Sequence, residues 1–387
     1  MSEQRDKTTW WVWVVIPGVS TAFMLMAILI DRPLAGGGVL VVGLCLVATW
    51  WNPQRARPKR KPIAAQEPRL PVASDTESLI RQMLDNNRSA VLVRDQIVKM
   101  LDGKQQDRAR QALLKEMAVV PKGHVCMVSR SNIERRENQQ RDYQILKVDP
   151  FYLDVRLVTN EQFARFVAAG GYELASLWDE SVAPGTFEFV DQTGMPAPRF
   201  WRDAKYLVGQ EDHPVVGISW FEASAYARWV GKRLPTDPEW VKAGSWPLET
   251  SPLPKQRKYP WGDEMDATRA NVWDSAIGHT VEVTEFTDGV AVGGHHQMVG
   301  NVWEWTSDEF GRWDAPGAKI RSAVDLKSIR GAAYDTYFDF EATCDFQSGD
   351  YPLARRHNIG FRCALGRSDI GIDLGTDVSL EAVEAKP

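Results

Sequence analysis

Cysteine and histidine are scarce in this sequence of 387 residues. Its four cysteines include no Cys-x-x-Cys pair, and only His295 and His296 stand together among its six histidines. A disulfide framework and a zinc site built on paired cysteines are therefore excluded. Basic residues are not in excess either, because 46 Lys and Arg stand against 51 Asp and Glu, a formal net charge of −5. This balance excludes a general nucleic-acid-binding protein, so no nucleic-acid partner is expected.

Tryptophan, in contrast, is abundant. Five of the 16 tryptophans lie in the first 51 residues, and the other eleven lie between Trp178 and Trp313. A tryptophan ring buries a large apolar area and carries one N–H group that needs a partner. We expect the first group at a membrane interface. The second group is expected mainly in a protein core, with stacking on a ligand as a secondary role.

Two long uncharged runs open the chain. Residues 8–30 and 33–53 contain no charged side chain, and only Asp31 and Arg32 separate them. Each run is long enough to cross about 30 Å of hydrocarbon as a helix. The runs predict a transmembrane helical hairpin over residues 1–53, with the membrane as a partner. A signal peptide in the first run fits less well, because the run is long and no small-x-small cleavage site follows it.

A basic cluster follows the second run. It consists of Arg55, Arg57, Lys59, Arg60 and Lys61. The positive-inside rule then predicts a multi-pass membrane protein whose soluble domain lies in the cytoplasm. The cluster either binds anionic lipid head groups or acts only as a topology signal.

A linker and a helical neck precede the main domain. Residues 54–73 are basic and rich in proline, which predicts an extended linker. The segment 74–117 begins with the capping-box spacing of Ser74 and Glu77, and apolar residues then recur at helical intervals. This neck either binds a partner or packs on the domain that follows. The acidic segment 367–387 is predicted to be a flexible tail.

Three motif regions define the domain over residues 118–366. In the first, Thr159 is a predicted N-cap of a helix that carries Phe163 and Phe166 on one face. The second contains a helical stripe of apolar residues that ends at Gly231, followed by Gly231-Lys-Arg-Leu-Pro-Thr236 and Glu239-Trp240. The third contains Gly300-Asn-Val-Trp-Glu-Trp305, followed by Arg330-Gly-Ala-Ala-Tyr334 and Gly360-Phe-Arg362.

Together these motifs resemble the formylglycine-generating enzyme family, also called sulfatase-modifying factors, which includes ergothioneine-type sulfoxide synthases. The resemblance implies an α+β fold with a C-type-lectin-like core: short strands, two main helices and long irregular loops. The predicted architecture is therefore a transmembrane hairpin, then a short helical neck, then this α+β domain.

The resemblance also implies a redox metal centre, but this sequence lacks its ligands. The name-giving enzymes convert a cysteine thiol to an aldehyde with copper held by two cysteines, five positions apart, shortly after the Arg-Gly element. The matching positions here are Thr336 and Glu341. The sulfoxide synthases use iron held by three histidines from a helical domain, and the neck contains no histidine. Neither copper nor iron, nor formylglycine generation, is expected.

Calcium is the metal that the resemblance favours, in a structural role. Hard cations prefer oxygen ligands. One predicted set takes the side chains of Asn271 and Asp288 with the carbonyl oxygens of Val272 and Val290. The other takes the side chains of Gln297 and Glu304 with the carbonyl oxygens of Gly300 and Val302. Alternatively, Asp288 and Glu304 only anchor loops through hydrogen bonds.

These considerations predict a membrane-anchored, non-catalytic module, a pseudoenzyme that binds a small ligand or another protein. Residues 334–358 occupy the place of the family's active cleft. The predicted ligand-binding surface consists of Tyr337, Phe338, Phe340, Arg355 and Arg356, because aromatic residues and arginine dominate binding hot spots. The same aromatic residues could instead pack under a loop.

Two alternatives remain open. The first is a metal-dependent oxidoreductase of the same superfamily, with Glu341, Cys344 and His357 as candidate catalytic residues and Asp345 beside them. In this case Cys344 and His357 would form a thiolate–imidazole pair. The second alternative is a purely structural subunit of a membrane complex.

Overall fold

The computed structural model describes residues 75–128, 143–182, 189–247, 254–313 and 325–374. Helices in these ranges are short, and most begin at a residue whose side chain caps the free backbone N–H groups. Their bounds are α1 Thr76–Asp85, α2 Ser89–Leu92, α3 Asp95–Val98, α4 Gly103–Glu116, α5 Asn160–Ala168, α6 Trp220–Trp229 and α7 Asp237–Ser245. Single 3-10 turns cover Ala175–Leu177, Ala267–Arg269, Trp273–Ser275, Thr287–Gly289 and Arg367–Asp369.

The strands of the described residues form three small sheets. Their bounds are β1 Met117–Val120, β2 Gly123–Val128, β3 Tyr143–Val148, β4 Phe151–Asp154, β5 Trp303–Glu309, β6 Lys327–Arg330, β7 Ser348–Asp350, β8 Ile359–Gly360 and β9 Ala364–Gly366. One sheet has the order β1-β4-β9, the second pairs β2 with β3, and the third has the order β7-β6-β5-β8. In the third sheet β5 and β8 are parallel, and the register places Glu304 opposite Arg330.

The prediction of a membrane protein with two spans is corrected by the structure. Within the described ranges, no helix combines the length and the apolar character that crossing a bilayer requires. The predicted spans 8–30 and 33–53 and the linker 54–73 lie outside those ranges, and so does the end of the predicted tail, 375–387. The described residues form a mixed α/β domain, and the predicted membrane localisation is not retained.

Helix capping follows the sequence prediction at Thr159, whereas α1 is capped by Asp75, whose carboxylate accepts a hydrogen bond from the N–H of Ser78, one residue later than the predicted box of Ser74 and Glu77. The Thr159 hydroxyl accepts a hydrogen bond from the backbone N–H of Gln162 at 3.2 Å, and the Gln162 side chain accepts one from the N–H of Thr159. The predicted stripe on α6 is buried, and Gly231 adopts a φ of +79° just after the helix. A left-handed residue there suits glycine, so the predicted end of this helix is confirmed.

The neck helices pack on the domain that follows them. Ile80, Leu92 and Leu113 share one buried cluster with Tyr152 of β4 and Leu365 of β9. Polar contacts fix the same junction: Arg88 and Arg94 donate hydrogen bonds to the carbonyl oxygens of Trp229 and Gly231, and Lys232 binds Glu116 and Asp154. Of the two roles left open for the neck, packing is the one the structure shows.

Candidate functional site

Four aromatic rings form a continuous row on the surface, which we call the aromatic row. It consists of Trp273, Tyr337, Phe338 and Phe340, and these residues are 55%, 64%, 53% and 50% exposed. Successive ring centroids lie 5.9, 5.2 and 5.4 Å apart; the first two contacts are edge-to-face and the third is stacked. Contiguous exposed apolar surface of this kind is typical of interaction sites.

The aromatic row is held from below by the half-buried Phe346 and the buried Trp303. Phe340 contacts Phe346 at a centroid distance of 5.8 Å, and Phe346 contacts Trp303 of β5 at 6.2 Å. The backbone N–H of Trp273 donates a hydrogen bond to the carbonyl oxygen of Thr336 at 3.3 Å. Two loops distant in sequence are thus tied together, and the rings are presented on a fixed base.

The structure adds Trp273 to the three aromatic residues that the sequence predicted. Sequence reasoning assigned the tryptophans of the domain mainly to the core, and Trp273 is the exception because its ring is more than half exposed. A signal was available, since Trp273 stands between the polar residues Asn271 and Asp274 rather than in an apolar run.

Thr336 and Glu341, the positions that correspond to the family's copper cysteines, flank residues 337–340 of the aromatic row in the chain. Thr336 is buried, and its hydroxyl accepts a hydrogen bond from the backbone N–H of Ala333 at 2.9 Å. Burial raises the pKa of the Glu341 carboxyl above its ordinary value. The pair therefore offers one hydroxyl and one carboxyl, which are poor ligands for Cu(I) because that ion prefers thiolates.

The structure does not bring Cys344 and His357 together. Cys344 is fully buried, its thiol faces Gly244 of α7, and burial raises its pKa well above the ordinary value. His357 is exposed, and its Nε2 lies 3.2 Å from a carboxylate oxygen of Asp335. Asp345 accepts a hydrogen bond from the Thr343 hydroxyl. A buried neutral thiol is inert toward substrates that arrive from solvent.

Arg355 and Arg356 have opposite surroundings although they are adjacent. Arg355 is buried and pairs with Glu222 at 2.9 Å, and its remaining donors bind the carbonyl oxygens of Gly217, Val190 and Ala197. Arg356 is exposed and pairs with Asp350 at 2.7 Å. The guanidinium donors of Arg355 are therefore engaged within the domain, although Arg355 and Arg356 both line a pocket of about 690 Å³.

The second predicted calcium set does not fit a cation. Both carboxylate oxygens of Glu304 accept hydrogen bonds from Arg362, at 2.7 and 2.8 Å, and one also accepts from the indole N–H of Trp240. The guanidinium group already supplies the positive charge. The Gln297 side chain donates to two backbone carbonyl oxygens, and its own oxygen accepts from Asn301 at 2.7 Å. Gly300 and Val302 belong to the turn that connects these two side chains.

The first predicted calcium set keeps one exposed carboxylate, that of Asp288. Asn271 is buried, and its side-chain oxygen lies 3.2 Å from the Ser275 hydroxyl, which also donates to the carbonyl oxygen of Val272 at 2.6 Å. The fourth member, Val290, is half-buried. All four ligands would be oxygens, as calcium prefers. No group of three or more His, Cys, Asp or Glu side chains suited to a metal occurs within the described ranges.

A comparison with protein families gives one match. The family described as "Sulfatase-modifying factor enzyme 1-like domain" matches residues 103–367. This range includes the aromatic row, both predicted calcium sets and all of α4, the last helix of the neck.

Three similar proteins carry three different names. A "Hercynine oxygenase" from Mycolicibacterium thermoresistibile is 30% identical over 246 residues, covering 59% of this chain and 53% of that protein. A "Serine/threonine-protein kinase pkn1" from Chlamydia caviae is 29% identical, covering 73% and 43% respectively. A "Formylglycine-generating enzyme" from Thermomonospora curvata is 28% identical, covering 66% and 95%. This chain thus spans only about half the length of the first two proteins.

Proposed function

Since this chain belongs to the sulfatase-modifying factor enzyme 1-like domain family, we propose that it is a non-catalytic binding module. Its ligand or protein partner contacts the aromatic row. The observation that carries the proposal is the exposure of four connected rings, three of which lie in the segment 334–358, where the resemblance predicts a catalytic cleft. Removing half-exposed aromatic side chains from water is favourable, so a partner that covers these rings gains binding free energy.

The chemistry around the aromatic row supports binding rather than turnover. Thr336 and Glu341 stand where the related enzymes need two thiolates, and the nearby thiol of Cys344 is buried beneath the surface. Catalysis by a cysteine requires an accessible thiolate, which burial disfavours because the charged form loses its solvation.

A second candidate function is metal-dependent oxidation. It is supported by the similarity to one protein named hercynine oxygenase and to another named formylglycine-generating enzyme. A protein named as a kinase is just as similar to this chain, at 29% identity. Sequence identity at this level therefore does not distinguish between the activities that these names describe. The titratable groups available for such chemistry are the half-buried Glu341 and Asp335 and the exposed His357.

Oxygen uptake separates the two candidates. We expect the purified full-length chain, supplied with Cu(I) or Fe(II), to consume no oxygen above the background of the metal alone when given hercynine or a peptide containing Cys-x-Pro-x-Arg. The peptide should also keep its mass. The Thermomonospora curvata relative, assayed alongside with the peptide, is the positive control. Substrate-dependent oxygen uptake, or conversion of the peptide thiol to an aldehyde, would refute the non-catalytic proposal.

We further propose that any calcium dependence of this domain resides in the first predicted set. Asp288→Asn removes its only carboxylate. At calcium 100-fold above the dissociation constant, binding adds about 2.7 kcal/mol to the free energy of unfolding. We expect calcium to raise the melting temperature of the wild type over that in chelator, and to leave Asp288→Asn unaffected. Asp274→Asn, an exposed acid outside both sets, is the control. If the melting temperature of the wild type is the same in calcium and in chelator, calcium binding is refuted.

A further inference from the structure

A pocket of about 660 Å³ forms a second candidate site, and none of its lining residues belongs to the aromatic row. Its walls are the turn between β3 and β4, the residues before and at the start of α7, the end of β5 and the residues that follow β9. Sites for small molecules in proteins have volumes in this range. Four segments that are distant in sequence thus line one space large enough for a small ligand.

Each of these segments contributes a basic side chain to the pocket. Lys147 belongs to β3, Arg233 precedes α7, Arg312 follows β5 and Arg367 follows β9. The chain as a whole has a formal net charge of −5. Basic groups lining one concave surface are therefore a local departure from the overall charge, and such a surface concentrates anions.

The carboxylates of Glu239 and Asp308 also line the pocket, but each is more buried than the arginine that it binds. Arg233 binds Glu239 at 2.6 Å, and the two side chains are 42% and 11% exposed. Arg312 binds Asp308 at 2.6 Å, and these side chains are 59% and 6% exposed. In both pairs the positive partner therefore presents more surface to a ligand than the negative partner does.

Both buried carboxylates are also engaged by the backbone at the start of α7. Glu239 accepts a hydrogen bond from the N–H of Thr236 at 2.8 Å, and Asp308 accepts one from the N–H of Asp237 at 2.7 Å. Their first role is thus to hold the helix. In that position they also fix the two arginines at the pocket.

The basic side chains keep donors for a ligand. Within the described ranges, the hydrogen bond of the Arg312 side chain uses Nη1 only, and the guanidinium group lies 5.2 Å from the centroid of the Trp313 ring. Lys147 is 68% exposed, and its Nζ lies 4.0 Å from Asp149, the outer limit of an ion pair. Asp149 is itself exposed, so it opposes the attraction of an anion to this pocket.

We propose that this pocket binds a small phosphorylated molecule through Lys147, Arg233 and Arg312. The inference concerns a site separate from the aromatic row and does not rest on the proposed function. A phosphate monoester carries a charge of about −1.5 to −2 at neutral pH and three acceptor oxygens, so it can bind several cations at once. A carboxylate has one charge and two oxygens. The pocket is also larger than a phosphate group, and Leu146 and Trp313 supply apolar surface for an organic part.

Calorimetric titration of the full-length chain with phenyl phosphate, inorganic phosphate and benzoate tests the ligand class. We expect phenyl phosphate to bind about tenfold more tightly than benzoate, which has the same ring but a single charge. Inorganic phosphate should bind about fivefold more weakly than phenyl phosphate, because it lacks the apolar part. All affinities should fall as salt rises. Equal affinity for benzoate, or no saturable binding of phenyl phosphate, would overturn the proposal.

Three variants of the pocket locate the binding. Lys147→Gln and Arg312→Gln should each weaken phenyl phosphate binding by about three- to tenfold, because each removes a charged donor. Asp149→Asn should strengthen binding about twofold, because it removes an exposed negative charge. Lys147 and Asp149 are both exposed, so these two variants test the pocket even if Arg312→Gln unfolds.

Two control variants remove comparable cations outside the pocket. Lys99 is 69% exposed and pairs with Asp95 at 2.6 Å, and Arg108 is 41% exposed and pairs with Glu77 at 2.6 Å. Lys99→Gln and Arg108→Gln should bind phenyl phosphate as the wild type does, and melting temperatures show whether each variant is folded. Loss of affinity in the controls equal to that in Lys147→Gln would mean general charge attraction and would contradict a site in this pocket. Unchanged affinity in all folded pocket variants would contradict it as well.

Discussion

Replacing Glu304 by glutamine is expected to destabilise the domain by about 3–5 kcal/mol, because it breaks a buried ion pair. The side chains of Glu304 and Arg362 are almost completely inaccessible to solvent, and two hydrogen bonds of 2.7 and 2.8 Å join them. In Glu304→Gln the amide N–H₂ would face the donors of Arg362. A buried charge would then lack its counter-ion, at the centre of the Gly-Asn-Val-Trp-Glu-Trp motif.

Thermal melting of wild type and Glu304→Gln, each in calcium and in chelator, measures this effect. For a domain of this size the melting temperature should fall by roughly 10 °C in both conditions. Glu309→Gln at the exposed end of β5 is a matched control, and such a surface change should alter stability by less than about 0.5 kcal/mol. A loss confined to the calcium condition would restore Glu304 as a metal ligand, against the geometry described above.

Asp237→Asn is expected to cost a similar free energy, also about 3–5 kcal/mol. Asp237 is fully buried at the start of α7 and pairs with Arg330 at 3.0 Å. An asparagine keeps the shape but removes the charge and turns an N–H₂ group toward existing donors. The existing donors to the Asp237 carboxylate are the side chains of Arg330, Thr306, Ser328, Gln347 and Trp313.

The free energy that the Asp237 carboxylate contributes to folding is expected to depend on pH. Burial alone would raise the pKa of Asp237, but the charge of Arg330 and the surrounding hydrogen bonds hold that pKa below its ordinary value. A carboxyl with a depressed pKa in the folded state stabilises the protein above the unfolded pKa, which is about 3.9 for aspartate. The stabilisation is lost as the pH falls below that value.

Denaturant unfolding of wild type and Asp237→Asn between neutral pH and about pH 3 checks the direction, because the difference between the two should shrink as the pH falls. Asp203→Asn, at an exposed position, should parallel the wild type throughout. A difference that is constant with pH would mean that packing, and not the charge of Asp237, explains the loss.

Local features of the fold were predictable from the sequence. The cap at Thr159, the buried stripe of α6 and the end of that helix near Gly231 depend on hydrogen bonds and contacts between residues close together in the chain. The family was also predictable, because its motifs occur in the same order here and the matched range, 103–367, contains them.

The prediction of a two-span membrane protein was wrong by the structural criterion, since no helix in the described ranges has the required length and apolar character. The predicted partners, calcium sets and catalytic alternatives remain predictions. For one of these sets the structure supplied a reason that the sequence could not: Arg362, 58 residues after Glu304, occupies its carboxylate.

The sequence by itself determined the family, the cap at Thr159 and the aromatic segment 337–340, because each depends on residues that are close together in the chain. Only the tertiary structure decided which of those residues face solvent. Arg355 and Arg356 are adjacent, yet one is buried against Glu222, 133 residues earlier, and the other is exposed. Trp273 joins the aromatic row through the carbonyl oxygen of Thr336 in a different loop. The partners of these side chains are distant in sequence, and loop packing, which no local pattern records, brings them together.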